Sequence, residues 1–307
     1  MTLSSEKNTP RPISSNSIPQ EAFDWYDEYA HGDIDRRTFL SRLGTLSVTG
    51  LTLSVVAGAL TPNYALAEQV SFNDPEIHAS YVEFDTPNGH GKGRGYLVMP
   101  KNVNADNKAP TVLVAHENRG LNPYIEDVAR RLAKAGFIAF APDALFPLGG
   151  YPGNDDAGRE MQKTLDGSKI EGDFMDAATL LKKHEFGTGK VGMVGFCYGG
   201  YLTNTLAAAM PDTIQAGAPY YGTPAKENID KIKAALQIHF AELDQRVNDT
   251  WPDYEKALKA NNVNYTAYVY PKTNHGFHND STARYDEKNA ELAWQRTISF
   301  FEQNLRA

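Results

Sequence analysis

The stretch Val191-Gly-Met-Val-Gly-Phe-Cys-Tyr-Gly-Gly200 decides the reading of this chain. Val191, Met193 and Val194 make a short apolar strand, and a helix is expected over Tyr201–Met210. Between them, glycines crowd around the chain's single cysteine. In the pattern G-x-C-x-G the cysteine occupies the tip of a sharp strand-to-helix turn. Its backbone is strained there, so the residues two before and two after it must be small. The sulfur of Cys197 then stands at a helix N-terminus, where free N–H groups favour a thiolate. The plainer reading is a Gly-rich turn that buries a cysteine. The rest of the chain decides between the two.

Working outward, Thr111–Ala115 and Phe137–Ala141 are wholly apolar, as strands buried on both faces are. A helix over Pro123–Ala135 joins them, with Ile125, Val128, Ala129 and Leu132 at helical spacing. Further strands are expected at Ala216–Tyr221, Leu236–Ala241 and Tyr265–Tyr270. Helices are expected near Asp155–Leu165, Asp173–Lys183 and Thr250–Ala260. A last helix, Asp286–Leu305, should turn Leu292, Ile298, Phe301 and Leu305 inward. Ile77–Phe84 and Gly95–Met99 flank a Gly-rich turn and read as an antiparallel hairpin. Strands alternating with helices give an α/β fold: a doubly wound, mostly parallel sheet with helices on both faces. In such sheets ligands bind at the carboxyl ends of the strands.

Two more reactive residues fall at those ends. Asp244 follows the strand ending at Ala241, and His275 follows the strand ending at Tyr270. The order nucleophile, acid, histidine is that of the α/β-hydrolase fold. The chemistry needs all three. A free thiol, with a pKa of about 8.5, is mostly protonated at neutral pH. His275 can take that proton and later give one to a leaving group. Asp244 would fix the tautomer of His275 and stabilise its charged form. An oxyanion hole is expected from the backbone N–H groups of Tyr198 and Asn118. Glu117, at the end of a neighbouring strand, would lie close to Cys197.

The chain has 307 residues, one cysteine and a net charge of −8. The single cysteine excludes an internal disulfide framework and CxxC metal or redox sites. The negative charge gives no case for nucleic acid or an anionic membrane surface as partner. Residues 1–67 read as a pre-region apart from the domain at 68–307. Asp35-Arg-Arg-Thr-Phe-Leu40 matches a twin-arginine export signal, so Arg36 and Arg37 would address the export machinery. A soft apolar run, Leu43–Leu60, follows, and Ala65-Leu66-Ala67 fits a cleavage site. That run is short for a stable membrane span. The expected location is therefore periplasmic or secreted, or cytoplasmic or membrane-anchored if the signal stays uncleaved. The acidic, aromatic stretch Phe23–Tyr29 is unusual for a signal and could form a short helix.

Cys197 in G-x-C-x-G-G, Glu117 in H-E-N-x-G, Pro142-Asp143, Asp244 and His275 together resemble the dienelactone hydrolase family, the carboxymethylenebutenolidases. The resemblance spans about Ile77 to Leu305. It implies an α/β-hydrolase that cleaves a small-molecule ester or lactone through Cys197, His275 and Asp244, by way of an acyl-thioester. It implies that Glu117 hydrogen-bonds the resting thiol, and it implies no metal or organic cofactor. In the founding members two arginines hold a substrate carboxylate; this chain has Pro147 and Asn279 at those places, with Arg119 and Arg284 nearby. Phe146, Tyr151, Phe277, His278 and Tyr198 are candidate pocket walls. Two other readings stay open: a non-catalytic binding or thiol redox-sensing protein, and a thioesterase or peptidase on the same residues.

Overall fold

The structure is a computed structural model that describes residues 18–46 and 53–306. Part of the expected apolar run, residues 47–52, lies outside the described residues. Among the described residues the first elements are four helices: α1 (Gln20–His31), α2 (Arg36–Thr45), α3 (Leu53–Leu60) and α4 (Tyr64–Ala67). Then come β1 (Ile77–Thr86), β2 (Gly91–Pro100), β3 (Ala109–Ala115), α5 (Pro123–Lys134), β4 (Ile138–Pro142), α6 (Asp155–Lys163) and α7 (Gly167–Lys182). The second half runs β5 (Gly187–Phe196), α8 (Tyr198–Ala209), β6 (Ile214–Tyr220), β7 (Ala235–Ala241), α9 (Gln245–Asn248), α10 (Trp251–Ala260), β8 (Tyr265–Tyr270) and α11 (Glu287–Leu305).

The eight strands form one sheet in the order β1-β2-β4-β3-β5-β6-β7-β8. The pairs β1–β2 and β2–β4 are antiparallel, and every later pair is parallel. This is the predicted fold class, with the hairpin at one edge. Alternation of side chains divides the core in two. Val112, Val114 and Val194 face α5 and α11, where they meet Val128, Leu132 and Phe301. Leu113, Val191 and Met193 face the other layer, with Phe174 and Leu181 of α7 and Leu202 and Leu206 of α8. The central strands are therefore apolar over Val112–Ala115 and Val191–Phe196, because neither face sees water there.

Three details differ from the sequence reading. Helix α7 begins six residues early, because Asp166 caps it by accepting from Ser168 N–H. Helix α8 begins at Tyr198, directly after Cys197. Leu292 is exposed rather than inward; the face of α11 against the sheet is Ala290, Ala293, Thr297, Phe301 and Leu305. The helical period of α11 was legible, but Leu292 lies off the stripe that the sheet covers.

The elbow at Cys197 is as tight as its glycines require. A Cβ on Gly195 would lie 1.9 Å from the carbonyl oxygen of Gly199, and one on Gly199 would lie 2.1 Å from that of Ala115. Gly199→Ala is expected to lower stability by about 3 kcal/mol, because backbone rather than a flexible side chain must yield. Urea melts of the two proteins check this; an unchanged midpoint would mean that the elbow is looser than its packing.

The sequence reading set residues 1–67 apart from the domain. In the structure the described helices of this segment pack against it. Ala22, Phe23, Tyr26, Tyr29 and Ala30 form one buried face of α1, spaced as an amphipathic helix requires. Gly32, at φ 88°, ends the helix in the left-handed conformation. Phe39 and Leu43 of α2 join the same small core, with the Phe39 ring stacked 5.0 Å from that of Tyr29.

Candidate active site

Strand ends and their loops converge on one sulfur. Cys197, at φ 55° and ψ −111°, projects from the turn between β5 and α8. Its side chain is free of disulfide and nearly buried. Tyr198 is the first residue of α8, so its N–H has no acceptor within the helix. Asn118 follows β3 and borders the same cavity as Cys197 and Tyr198. The β3 loop is held from behind by His116, whose Nε2 accepts from Ala144 N–H at 3.1 Å. Asp143 steadies the neighbouring loop by accepting from Leu121, Leu145 and Tyr151 N–H groups.

His275 and Asp244 meet as the sequence predicts. Their Nδ1 and Oδ2 lie 2.6 Å apart, and both side chains are buried. Asp244 also caps α9 by accepting from Val247 N–H at 3.3 Å. With a proton on Nδ1 shared with Asp244, Nε2 of His275 is the basic nitrogen. That nitrogen is buried and has no hydrogen-bond partner. A ring nitrogen of His275 lies within 4.8 Å of the sulfur. Burial alone would raise the thiol pKa; the His275 and His31 imidazoles outweigh it and hold Cys197 well below its usual range. Burial likewise pushes His275 down, but Asp27, Asp244 and the sulfur keep it well above an ordinary histidine.

Glu117 is buried beside them, and accepts from Asn279 Nδ2 at 3.1 Å. Its carboxyl is held up, by burial first and the nearby sulfur charge second, against the pull of Arg119 and Arg284. The family resemblance implies a bond from Glu117 to the resting thiol. Here the sulfur's partner is instead His31, with Nε2 at 3.4 Å.

Helix α1 thus brings residues that the sequence reading had excluded. His31 Nδ1 lies 2.8 Å from the carbonyl oxygen of Asp27 and 3.3 Å from Asp27 Oδ1. Asp27 Oδ1 is also 4.0 Å from His275 Nδ1. Arg246 donates to His31 Nε2 at 2.8 Å and approaches Asp27 Oδ2 at 3.5 Å. Beside the sulfur lies a cavity of about 270 Å³, bordered by His31, Asn118, Tyr198, Tyr221, Lys226 and Arg246. The ligating atoms of His31, Cys197 and His275 lie within 4.8 Å of one another, close enough to share a cation. The guanidinium of Arg246 already brings a positive charge to that point.

The remaining sequence candidates go elsewhere. Arg119 is buried in a pair with Asp155 at 3.0 Å and donates to Tyr26 Oη at 2.9 Å. Arg284 lies under the Tyr26 ring at 4.7 Å. Tyr151 donates to Asp155, and Phe146 stands by Arg94; neither borders the cavity beside Cys197. Phe277 is core, packed on Tyr270 at 4.9 Å. His278 is core as well, stacked on Phe196 and bonded to Tyr124 Oη at 2.7 Å. The chain dives inward immediately after His275, which carries both away from the cavity. His31 carried one sequence signal: it closes an amphipathic helix just before a glycine.

The charges on α1 predict a pH window for its docking. Burial pushes Asp27 up, but His275, His31 and Arg246 hold it well below the ordinary aspartate value of 3.8. Such a depressed group stabilises docking above about pH 4, and loses that effect as pH falls through its folded value. Burial pushes His31 down, but the Cys197 sulfur and Asp27 hold it up, to about 9 from 6.5. A raised group stabilises fully below 6.5, and the effect is lost as pH rises through about 9. Hydrogen exchange of the α1 peptide, corrected for intrinsic rates, should show protection at pH 5.5 that falls by pH 9.5. Constant protection up to pH 10 would contradict this.

Residues 94–305 match the Dienelactone hydrolase family, and residues 13–47 separately match a family described as YqhI-like. A putative carboxymethylenebutenolidase of Aquifex aeolicus is 36% identical over 73% of this chain and 98% of its own. A putative hydrolase fragment of Escherichia coli, YghX, is 61% identical over 38% of this chain and 97% of its own. The crystal structure of a putative dienelactone hydrolase from Klebsiella pneumoniae superposes with TM-score 0.63 at 27% identity, over 74% of this chain and 99% of that one. The match of one family from within β2 to the end of α11, on a fold shared with its solved members, means that the chain belongs to the dienelactone hydrolase family.

Proposed function

We propose that this hydrolase cleaves a carboxylic ester or lactone with Cys197 as nucleophile, His275 as base and acid, and Asp244 as the residue that orients His275. One observation carries the reading: His275 is bonded to Asp244 through Nδ1 and keeps a buried, unpartnered Nε2 close to the sulfur. The thiolate attacks the substrate carbonyl carbon, and the carbonyl electron pair moves to oxygen. The N–H groups of Asn118 and Tyr198 receive that oxyanion. As the tetrahedral centre collapses, the alkoxide leaves with a proton from the imidazolium, and an acyl-thioester remains on Cys197. Water then gives a proton to Nε2 of His275 and attacks the thioester. The sulfur departs and the carboxylate product is released.

Rapid acid quench after mixing with an activated aryl acetate, followed by intact mass, tests this. A transient acetyl adduct on Cys197 that decays with release of acetate is expected. A sulfur that alkylating reagents reach but acetate esters never modify would overturn the reading. The chain has one cysteine, so assignment by peptide mapping is unambiguous.

Of the locations the sequence leaves open, retention in the cytoplasm or at the membrane with the twin-arginine segment at Arg36 and Arg37 uncleaved is proposed, because cleavage at Ala67–Glu68 would remove the α1 helix that packs on the site. No helix among the described residues is long and apolar enough to cross a membrane. The N-terminal sequence and the compartment of the recovered protein decide it: an intact α1 supports retention, while periplasmic protein that begins at Glu68 speaks against it.

A further inference from the structure

One side chain on the sulfur does not come from a strand end. His31 is carried by α1, and its Nε2 is 3.4 Å from Cys197 Sγ. Its surroundings repeat those of His275. Each imidazole is held at Nδ1 by an aspartate residue, Asp244 through its side chain and Asp27 through its carbonyl, with the Asp27 carboxylate close behind. The two rings stand 4.9 Å apart at 90° and approach the sulfur from different directions. Arg246 fixes the tautomer. A guanidinium can only donate, so Nε2 of His31 accepts from it and a neutral His31 carries its proton on Nδ1. The single Nε2 lone pair is then held by Arg246, and it can take the thiol proton only when that guanidinium moves away.

Helix α1 does not depend on His31 for its place. Asn118 Nδ2 donates to the Ala30 carbonyl at 2.8 Å, and Arg159 donates to that of Tyr29. Arg119 donates to Tyr26, and Arg284 lies under the same ring. Nor does α1 seal the site. A cavity of about 270 Å³ remains beside Cys197, and His31 is one of its walls. A segment that served only to block the sulfur would occupy that space.

We propose that α1 is a fixed wall of the catalytic pocket and that His31 is a second catalytic imidazole acting on the Cys197 sulfur. This rests on Cys197 being the nucleophile. The S–H bond breaks with its electron pair left on sulfur, and the proton passes to Nε2 of His31 as Arg246 swings toward Asp27. That proton faces the cavity and is given to the leaving alkoxide. Acylation removes the sulfur charge that helps to hold His275 up, and His275 Nε2 then takes the proton of the hydrolytic water and returns it to the sulfur when the acyl group leaves. Two imidazoles thus divide what a single one does in turn.

The experiment uses the full chain. Iodoacetamide alkylation of Cys197 is followed by intact mass from pH 5 to 10, together with turnover of an activated aryl acetate. The charged and titratable groups facing the sulfur and His31 are Asp27, Glu117, Asp244, Arg246 and His275, with Tyr198, Tyr201, Tyr221 and Lys226 on the cavity wall, and all stay in place. His31→Gln keeps the helix and the volume. It is expected to slow alkylation about tenfold at pH 6 while matching wild type near pH 10, and to lower kcat by about 100-fold with little change in KM. His31→Ala should recover part of its rate with added imidazole, which the cavity can admit. Unchanged melting temperatures separate these effects from unfolding. A His31→Gln profile that superimposes on wild type reduces His31 to a structural wall and overturns the proposal. Faster turnover in His31→Ala at every pH, with alkylation unchanged, makes α1 a plug and overturns it as well. Wild-type protein that alkylates but never acylates would instead remove the nucleophile reading, and the His31 role with it.

Discussion

Cys197→Ala is expected to lower ester turnover by about 10⁵-fold while the protein remains folded. Removing the nucleophile of an acyl-transfer site leaves only the oxyanion donors and binding to act on bound water. The fold should tolerate the change. The sulfur borders a cavity and its contact with His31, at 3.4 Å, is weak, so its loss creates little new void. The strained φ of 55° is set by the backbone around Gly195 and Gly199, and alanine meets the same constraint as cysteine. Steady-state turnover of an aryl acetate, paired with a thermal melt, measures both halves. A variant that keeps more than about one hundredth of the rate would mean that water is attacked directly and that Cys197 is not acylated. Cys197→Ser is a harder case for the enzyme. A hydroxyl is far less acidic than a thiol, and these imidazoles are placed to stabilise a thiolate.

Asp244→Asn is expected to cost about 10⁴-fold in kcat with little effect on stability. The 2.6 Å contact to His275 Nδ1 requires that nitrogen to carry the proton. An amide can offer its N–H instead, which turns the imidazole to the tautomer with Nε2–H, and that form cannot accept a proton. Cap formation survives, because the asparagine oxygen still accepts from Val247 N–H. Helix α1 adds a nuance. Asp27 Oδ1 lies 4.0 Å from the same Nδ1, close enough to take over part of the orientation. Asp27→Asn in the Asp244→Asn background should therefore cost more than Asp27→Asn alone. Additive losses across that double-mutant cycle would show that the two carboxylates act independently.

The pH behaviour follows from the same cluster. His275 and His31 hold the thiol well below its ordinary range, so alkylation of wild-type Cys197 should stay fast at pH 6 and fall only on further acidification. An unshifted thiol would already have lost most of its reactivity there, since thiolate is the reacting form.

Much of this was legible in residue order. The elbow could be read because its constraint is local: each glycine is needed where a Cβ would strike backbone a few residues or one strand away. The central strands could be read because burial on both faces leaves no polar position in Leu113–Ala115 or Phe137–Ala141. Asp244 and His275 could be placed because residues just after parallel strands share one edge of the sheet, whatever the details of the loops. The same logic failed for side chains whose direction depends on what packs around them. Arg119 and Arg284 stand beside catalytic loops in sequence, yet turn toward Tyr26 and Asp155. Leu292 sits on a helix whose period was clear, but off the stripe that the sheet covers.

Helix α1 marks the boundary most sharply. Its amphipathic face, Phe23, Tyr26 and Tyr29, is written in the sequence. Nothing in the sequence states which surface that face covers. That was decided by contacts spanning 88 to 215 residues, from Asn118 to Ala30 and from Arg246 to His31. The sequence by itself determined the sheet, the elbow and the order of Cys197, Asp244 and His275, because local sterics and strand periodicity act between near neighbours. Only the tertiary structure decided that His31 and Asp27 join them, because a helix's apolar stripe finds its partner through burial, which has no preferred sequence distance.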